Sequence, residues 1–367
     1  MARRSRCITV VTTEGAAVRD GMSACRFCLV VLLLALLRPA SVAAQTDPLA
    51  AEWAKYRDRF VAEDGRVRDT GNNAVSHTEG QGSAMLFAEA LDDRATFDRV
   101  WHWTTDKLRR PDSALFAWRW DPNNADRPVA DTNNASDGDI LIAWSLSLAA
   151  ERWHDRGYRT EARAILAAIR DKLVDRLDGH LVLMPGTDGF KSKDGSVIVN
   201  PSYYVYPAFR EFAQIDPSPI WARLRRDGLA LLARARFGQW GLPTDWVTMT
   251  ARGALSPAAN LPPRFGYNAI RIPLYLVWGG AATRQRLADE LNFWNSFTDK
   301  PVPAWVDVTN GDLAPFPGPA GFQAIIQLAR LRQSPKTPPL PEIGDRDDYY
   351  SASLILLAGL ARRATGR

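Results

Sequence analysis

Residues 134–153 read NASDGDILIAWSLSLAAERW, and the second half of this stretch has a helical pattern. Apolar residues recur at helical spacing from Ile140 through Trp144 to Leu148, and polar residues occupy the opposite side. Such a stripe predicts an amphipathic helix over 140–153. The acidic residues and the glycine that precede it indicate the loop from which the helix begins.

The same spacing recurs along the rest of the chain, and no strict alternation typical of strands extends far. About eleven or twelve helices are expected, joined by loops that are alternately short and long. A ring of helical hairpins with its functional loops on one face has this organisation. Two strand fragments, 180–184 and 196–199, are expected to form a small β-hairpin around residues 186–189. The other segments predicted to be helical are 49–60, 84–91, 97–108, 161–177, 202–215, 219–236, 269–278, 284–297, 321–331 and 350–362.

The first 44 residues have the composition of a secretory signal. Arginines at positions 3, 4, 6 and 26 precede or flank an apolar run over 27–37, and small residues occupy the cleavage positions Val42 and Ala44. This order predicts a signal peptide over 1–44 that is cleaved after Ala44. The apolar run is shorter than the ~20 residues that span a bilayer, so stable membrane insertion is not expected. An uncleaved anchor and a start at Met22 stay open as alternatives.

Composition assigns residues 45–367 to one folded domain without a low-complexity linker. The chain of 367 residues is 46% hydrophobic and 24% charged, which is typical of folded proteins. Residues 1–44 hold six of the 46 basic and two of the 41 acidic side chains, so the net charge falls from +5 to +1 on their removal. A nearly neutral domain argues against a nucleic-acid partner. Cys7, Cys25 and Cys28 all lie in the leader, and the four histidines show no ligand spacing, so no metal or other cofactor is expected.

The tryptophans give the first indication of a ligand. The chain has 13 of them, and several stand in polar, Pro- or Gly-containing segments, namely Trp118, Trp120, Trp246 and Trp305. Flat aromatic faces beside Asp, Asn and Arg suit a sugar, because a pyranose ring has apolar C–H faces and a polar rim. Packing within loops is the alternative for each of them.

Glu79 is the first candidate catalytic residue. It stands in the segment SHTEGQG over 76–82, directly before a helical pattern. Ser76 and Glu79 have capping-box spacing, so a simple helix cap is one interpretation. The glycines Gly80 and Gly82 are poor helix formers, and they favour a backbone that a ligand approaches closely. A carboxyl group between such glycines can face a cleft.

Two further segments carry polar groups at the start of a helix. In 134–139, Ser136 or Asp137 could cap the helix and Asp139 could favour its dipole, but Asp137 could instead pair with Glu79 for glycosidic hydrolysis. In FGYNAIRIP over 265–273, Asn268 and Arg271 are three residues apart and can point the same way. A capped helix with a surface arginine is the alternative there.

These segments together resemble glycoside hydrolase family 8 over nearly the whole of residues 45–367. SHTEGQGSAM resembles the acid-carrying segment of that family, ASDGDILIAWSLSLA its signature, and NPSYYVYPAF and GYNAIRIPLYL two further blocks. Within the family, the chain is most similar to periplasmic endoglucanases encoded with bacterial cellulose synthases. The resemblance implies an all-α (α/α)6 barrel and endo-cleavage of β-1,4-glucan with inversion. It also implies a periplasmic or secreted location, and a cellulose synthase complex as a candidate partner.

The resemblance also implies roles for individual residues. Glu79 matches the general acid, and Asp137 matches an acid that contacts the distorted sugar at the cleavage subsite. Arg271 and the pair Tyr203 and Tyr204 are expected to line that subsite. Trp118 or Trp120 is expected to be a stacking platform, and Tyr350 is expected to close the cleft.

One position departs from the family pattern. Cellulases of the family carry an aspartate as general base where this chain has Asn268, and an amide cannot accept a proton at neutral pH. Asp137 is the first substitute, with Asn268 orienting the water. Three alternatives stay open: an enzyme of the same fold acting on chitosan, one acting on xylan, and a non-catalytic glycan-binding protein. A cationic polymer would favour additional acids in the cleft, and four loop acids could serve: Asp188, Asp194, Asp245 and Asp307.

Overall fold

The structure is a computed structural model that describes residues 47–331 and 338–366. The predicted leader, its cysteines and its cleavage site lie outside these residues. None of the helices in the described ranges is long and apolar enough to span a membrane.

Eleven α-helices occur in these ranges, and each overlaps one of the eleven segments predicted from periodicity. Their bounds are α1 Pro48–Phe60, α2 Thr78–Ala90, α3 Arg94–Leu108, α4 Ser136–Arg152, α5 Arg156–Leu173, α6 Tyr206–Ile215, α7 Ile220–Arg234, α8 Arg271–Trp278, α9 Ala288–Asn295, α10 Ala320–Arg330 and α11 Tyr349–Ala364. A short 3₁₀ helix, Pro201–Tyr203, precedes α6.

The helices form a closed inner ring with an outer layer. Helices α2, α4, α6, α8, α10 and α11 contact one another in this order, and α11 returns to α2. Helices α1, α3, α5, α7 and α9 pack outside the ring, and residues 338–348, which precede α11, contain no helix. Helix α8 is buried on all sides, whereas α5 buries only one stripe, as expected for inner and outer positions. This arrangement confirms the predicted all-α (α/α)6 barrel.

Glycines allow α2 and α4 to pack closely. A Cβ atom on Gly82 would lie 2.7 Å from the Cβ of Leu141, and one on Gly138 would lie 2.1 Å from Oγ1 of Thr78. A Cβ on Gly80 would lie 2.6 Å from the hydroxyl oxygen of Tyr349 in α11. The expectation that these α2 glycines admit a ligand is therefore wrong, because neighbouring helices occupy the space.

Nine short strands occur in the described ranges, and all their pairings are antiparallel. Strand β1 pairs with β2, β3 with β4, β6 with both β5 and β7, and β8 with β9. Their bounds are β1 Ser76–His77, β2 Arg119–Trp120, β3 Val174–Leu177, β4 His180–Leu183, β5 Val197–Val199, β6 Val247–Met249, β7 Leu255–Pro257, β8 Arg264–Phe265 and β9 Val306–Asp307.

The predicted hairpin between residues 180–184 and 196–199 does not form. Both expected fragments are extended, yet β4 pairs with β3, and β5 pairs with β6. Asp178 and Gly179 join β3 to β4 with φ angles of 48° and 78°. Two residues with positive φ form the preferred two-residue hairpin turn, so this Asp-Gly pair reverses the chain after β3. Helix α5 accordingly ends at Leu173, not at the predicted residue 177. Pairing around residues 186–189 is therefore wrong.

Candidate active site

Arg271 joins the candidate residues from three inner helices at one end of the barrel. Its Nη1 atom lies 2.7 Å from Oε1 of Glu79 and 3.0 Å from Oδ2 of Asp137. Its Nη2 atom donates a hydrogen bond of 2.8 Å to Oδ1 of Asn268. Asn268 and Arg271 thus point the same way, as their spacing predicts. Both carboxylates lie in the first turn of a helix, where the helix dipole favours negative charge.

Helix capping does not explain these polar residues. Ser76 lies in β1, and its hydroxyl donates to the backbone oxygen of Val67. Neither α2 nor α4 begins with a side-chain cap, so the capping interpretations of Ser76, Ser136 and Asp137 are wrong. The side chains of Glu79 and Asp137 are instead directed at the guanidinium group of Arg271.

Glu79 and Asp137 differ in their access to solvent. Asp137 is 2% exposed, and its Oδ1 accepts a hydrogen bond from the backbone nitrogen of Gly138. Burial raises the pKa of Asp137 to about 6, the positive charge of Arg271 opposes this rise, and the negative charge of Glu79 adds to it. The Glu79 side chain is 28% exposed and opens into a cavity. Glu79 is therefore the more accessible of the two carboxyl groups.

The cavity has a volume of about 400 Å³, which is in the size range of small-molecule sites. Several aromatic rings share its wall with the polar groups. Its lining includes the predicted residues Glu79, Asp137, Asn268, Arg271, Trp118, Tyr203 and Tyr350, together with Asn72, His77, Thr78, Ala135 and Tyr267.

The two predicted tryptophan platforms have different environments. Trp118 lines the cavity, stacks on His77 with an interplanar angle of 3°, and donates from Nε1 to Oδ2 of Asp131. Trp120 packs edge-on against Trp103, and Arg66 lies over its ring. Trp118 thus lines the cavity, whereas Trp120 packs against Trp103 and Arg66 and does not line it.

Replacement of Trp118 by alanine is expected to weaken binding of cello-oligosaccharides by about 1–3 kcal/mol, the value of burying a large apolar side chain. Trp120→Ala is the matched control from the same strand region. It is expected to lower the free energy of unfolding with little effect on binding by the folded protein. Titration calorimetry and urea unfolding measure the two effects. Unchanged binding in Trp118→Ala would assign Trp118 to loop packing.

The two adjacent tyrosines, Tyr203 and Tyr204, also have different environments. Tyr203 lines the cavity, and the guanidinium carbon of Arg271 lies 5.7 Å from the centre of its ring. Tyr204 is buried, its hydroxyl accepts a hydrogen bond from the backbone nitrogen of Leu183, and its ring lies against Gly228. The prediction that both tyrosines line the subsite is therefore wrong for Tyr204. Adjacent residues in a tight turn direct their side chains differently, and Tyr204 supports β4.

Tyr350 lies at the cavity, as predicted, and is held by a residue that the sequence did not single out. Its hydroxyl donates to the backbone oxygen of Tyr267, and the two rings are 5.8 Å apart. Tyr267 is 42% exposed and lines the cavity, as does His77. His77 lies within the segment SHTEGQG and Tyr267 within FGYNAIRIP, so their place in these segments was the available signal.

Asp139 has a structural environment behind the site. Its carboxylate accepts hydrogen bonds from the backbone nitrogen of Phe116 and from Nδ2 of Asn134. Burial raises the pKa of Asp139 to about 7, and these hydrogen bonds oppose that rise. Asp139 thereby ties α4 to the loop that carries Trp118.

The four loop acids are not equivalent. Asp188 and Asp194 are exposed, and Asp194 and Asp307 accept hydrogen bonds within their own turns. None of these three lines the cavity. Asp245 is half-buried and holds the loop that carries Asn268, so it is the loop acid connected to the site.

A carboxyl group that opens into a cavity with exposed aromatic faces, beside a second acid, is characteristic of enzymes that hydrolyse glycosidic bonds. Among the residues that the structure describes, no cluster of His, Cys, Asp and Glu side chains could hold a metal ion. The architecture and the site together define the class as a glycoside hydrolase.

The comparisons identify the family. The model of glycosyl hydrolases family 8 matches residues 22–364, and the chain belongs to this family. It is 41% identical over 317 residues to a probable endoglucanase of Novacetimonas hansenii, covering 86% of this chain and 91% of the relative. Endoglucanase Cel10 of Klebsiella pneumoniae superposes with a TM-score of 0.81 at 42% identity, covering 86% of this chain and 99% of Cel10. Endo-β-1,4-glucanase CMCax of Acetobacter xylinum gives 0.81 at 40% identity, with 88% and 99% covered. The resemblance seen in the sequence is thus confirmed.

Proposed function

We propose that this glycoside hydrolase is an endo-β-1,4-glucanase that cleaves its substrate with inversion. The observation that carries the proposal is the partly exposed carboxyl of Glu79 beside the buried pair of Asp137 and Arg271, in a cavity that Trp118 also lines. The endoglucanase names of relatives with similar length and about 40% identity support β-1,4-glucan as the substrate.

In the proposed reaction, Glu79 protonates the oxygen of the leaving sugar. Asp137, fixed by Arg271, contacts the sugar at the cleavage point and stabilises positive charge on its ring. A water attacks from the opposite face, and a carboxylate base takes its proton. Trp118 and Tyr203 supply aromatic surface to the neighbouring rings.

Asp137 is poorly placed to be that base. One oxygen of Glu79 and one of Asp137 contact the same nitrogen of Arg271, at 2.7 and 3.0 Å. Their separation cannot exceed the sum of these distances, which is shorter than the roughly 6.5–9.5 Å between the carboxyl groups of inverting enzymes. Both oxygens of Asp137 also have partners already. The base is therefore to be found elsewhere.

Release of reducing ends from carboxymethyl-cellulose tests the proposal, with chitosan and xylan as parallel substrates. Nuclear magnetic resonance of the first product is expected to show the α-anomer, because inversion of a β-linkage yields it. Faster cleavage of chitosan or xylan would show that this polymer, and not β-1,4-glucan, is the preferred substrate. Binding to cellulose without hydrolysis would favour the glycan-binding alternative.

Asn268→Asp is expected to change the turnover of carboxymethyl-cellulose only slightly. The substitution restores the family carboxylate, but the wild-type chain retains Glu79, Asp137 and Arg271 in contact and is expected to use another base. Steady-state kinetics of both proteins measure the effect, with Asn310→Asp, an exposed loop position, as the control. A rate increase toward the 10²–10⁴-fold that a positioned base supplies, from an inert wild type, would contradict this expectation.

We also propose that the protein is exported and acts in bacterial cellulose biosynthesis, with a cellulose synthase complex as its candidate partner. The basic and apolar leader and its small cleavage residues support export. Intact-mass measurement of the exported protein is expected to give Gln45 as the first residue. A mass that retains residues 22–44 would indicate an anchor, and copurification with the synthase tests the partner.

A further inference from the structure

Asn268 occupies the position of the family base, but its own contacts suit it to binding a water molecule. Arginine can only donate hydrogen bonds, so the bond of 2.8 Å from Arg271 fixes Oδ1 of Asn268 toward the guanidinium group. The amide nitrogen of Asn268 is then directed away from Arg271, and Asn268 lines the cavity. An amide nitrogen is a donor, so it can hold a water by one of its lone pairs and leave both water protons available.

A second carboxylate is attached to the same loop. Oδ1 of Asp245 accepts hydrogen bonds from the backbone nitrogens of Gly266, Asn268 and Ala269 at 3.3, 3.1 and 2.7 Å. These three bonds fix the carboxylate against the turn that carries the Asn268 side chain. No residue that the structure describes donates a hydrogen bond to Oδ2 of Asp245, and this oxygen is not fully buried. One oxygen is thus an anchor, and the other is available to a water.

The neighbours of Asp245 place it on the Tyr203 side of the cavity. The adjacent Trp246 meets Tyr203 edge-on at 5.9 Å and stacks on Phe190. Glu79 contacts Nη1 of Arg271, whereas Asn268 contacts Nη2, and Asp245 joins this network through the backbone of Asn268. Asp245 does not line the cavity itself but lies directly behind the wall that Asn268 and Tyr203 form. A water held by Asn268 would therefore bridge the carboxylate and the cavity, apart from Glu79, and inversion requires such a separation of acid and base.

We propose that Asp245 is the general base and that Asn268 positions the water that Asp245 deprotonates. The inference rests on the proposed hydrolysis of β-1,4-glucan. Oδ2 of Asp245 takes a proton from the water as the water oxygen bonds to the anomeric carbon. The glycosidic bond breaks at the same time, its electron pair passes to the leaving oxygen, and Glu79 supplies that oxygen with a proton. Solvent then removes the proton from Asp245 and returns one to Glu79.

The surroundings of Asp245 suit a base. Burial raises the pKa of its carboxyl to about 6, while the three backbone hydrogen bonds and Arg271 oppose the rise. A base is most effective when its pKa is near the working pH, so a partly desolvated carboxylate accepts a proton more readily than an exposed one.

Kinetics of Asp245→Asn test the proposal. Asparagine keeps an oxygen acceptor for the three backbone nitrogens but cannot take a proton, so the loop stays in place. The expected result is a fall in kcat of about 10²–10⁴-fold with KM and cello-oligosaccharide binding nearly unchanged. Asp307→Asn is the matched control, since Asp307 is a half-buried acid at the end of β9 whose carboxylate is bonded within the following turn. This variant is expected to keep wild-type kinetics.

Asp245→Ala in the presence of azide provides a readout that a structural role would not give. Azide needs no base, so it is expected to restore turnover and to form an α-glycosyl azide, whereas Glu79→Gln should gain nothing. Near-normal kcat in Asp245→Asn, weakened oligosaccharide binding, or no azide product would each overturn the assignment. A wild-type protein without any hydrolysis would instead overturn the proposed function, so the two failures are distinguishable.

Discussion

Replacement of Glu79 by glutamine is expected to lower the hydrolysis of carboxymethyl-cellulose by about 10²–10⁴-fold, the usual contribution of a positioned acid. Glutamine has nearly the same shape and keeps an oxygen for Arg271, but it cannot supply a proton to the leaving oxygen. Binding of cello-oligosaccharides should persist, because Trp118, Tyr203 and Tyr350 line the cavity independently of Glu79. Initial rates and calorimetric titration measure the two properties.

Glu89→Gln is a suitable control for that experiment. Glu89 lies in the same helix, α2, but near its other end, where it forms a salt bridge with Arg152. Its replacement should leave kcat at the wild-type value. If Glu79→Gln also kept near-normal turnover, the acid would have to be another residue.

Arg271→Met is expected to lower the free energy of unfolding by about 3–5 kcal/mol, the cost of leaving one member of a buried ion pair without its partner. Arg271 is 2% exposed and contacts two carboxylates, so methionine fills much of the space but leaves Asp137 as an unpaired buried charge. The same change removes the group that orders Glu79 and Asn268, and hydrolysis should fall with it. Urea unfolding and initial rates measure the two losses.

The loss of stability in Arg271→Met should depend on pH in a defined direction. The pKa of Asp137 is already raised to about 6 in the folded protein, and removal of the arginine raises it further. Below that pKa the folded protein holds Asp137 protonated and uncharged, so the destabilisation should be smaller at pH 5 than at pH 8. The double variant Arg271→Met with Asp137→Asn should recover part of the loss. Equal destabilisation at both pH values would show that Asp137 is not its cause.

The helical fold could be predicted because its signal is local. Each inner or outer helix has apolar residues at helical spacing, and eleven such segments become helices. The pairing of the strands could not be predicted from such local patterns. Residues 174–177 form a strand although they lie in a segment whose periodicity is helical, and the turn at Asp178 and Gly179 directly follows that segment. Partners such as β5 and β6 are far apart in sequence.

The same distinction between local and long-range information applies to the candidate site. Glu79, Asp137 and Arg271 could be selected because each stands in a short segment with a family pattern, and the structure brings them together. The direction of a side chain depends on contacts that no short segment contains. Tyr204 therefore could not be separated from Tyr203, nor could Asp245 be tied to Asn268.

The closure of the inner ring determines when the enzyme can become active during its own synthesis. Helix α11 is the last helix in the described residues, it packs against α2, the second of them, and it carries Tyr350 to the cavity. Contacts between such distant segments require a large loop to close, which makes them slow to form. A nascent or C-terminally truncated chain would hold Glu79 in an open helical array without a finished cleft. We therefore expect hydrolytic activity only after residues 349–364 have been synthesised and have packed against α2.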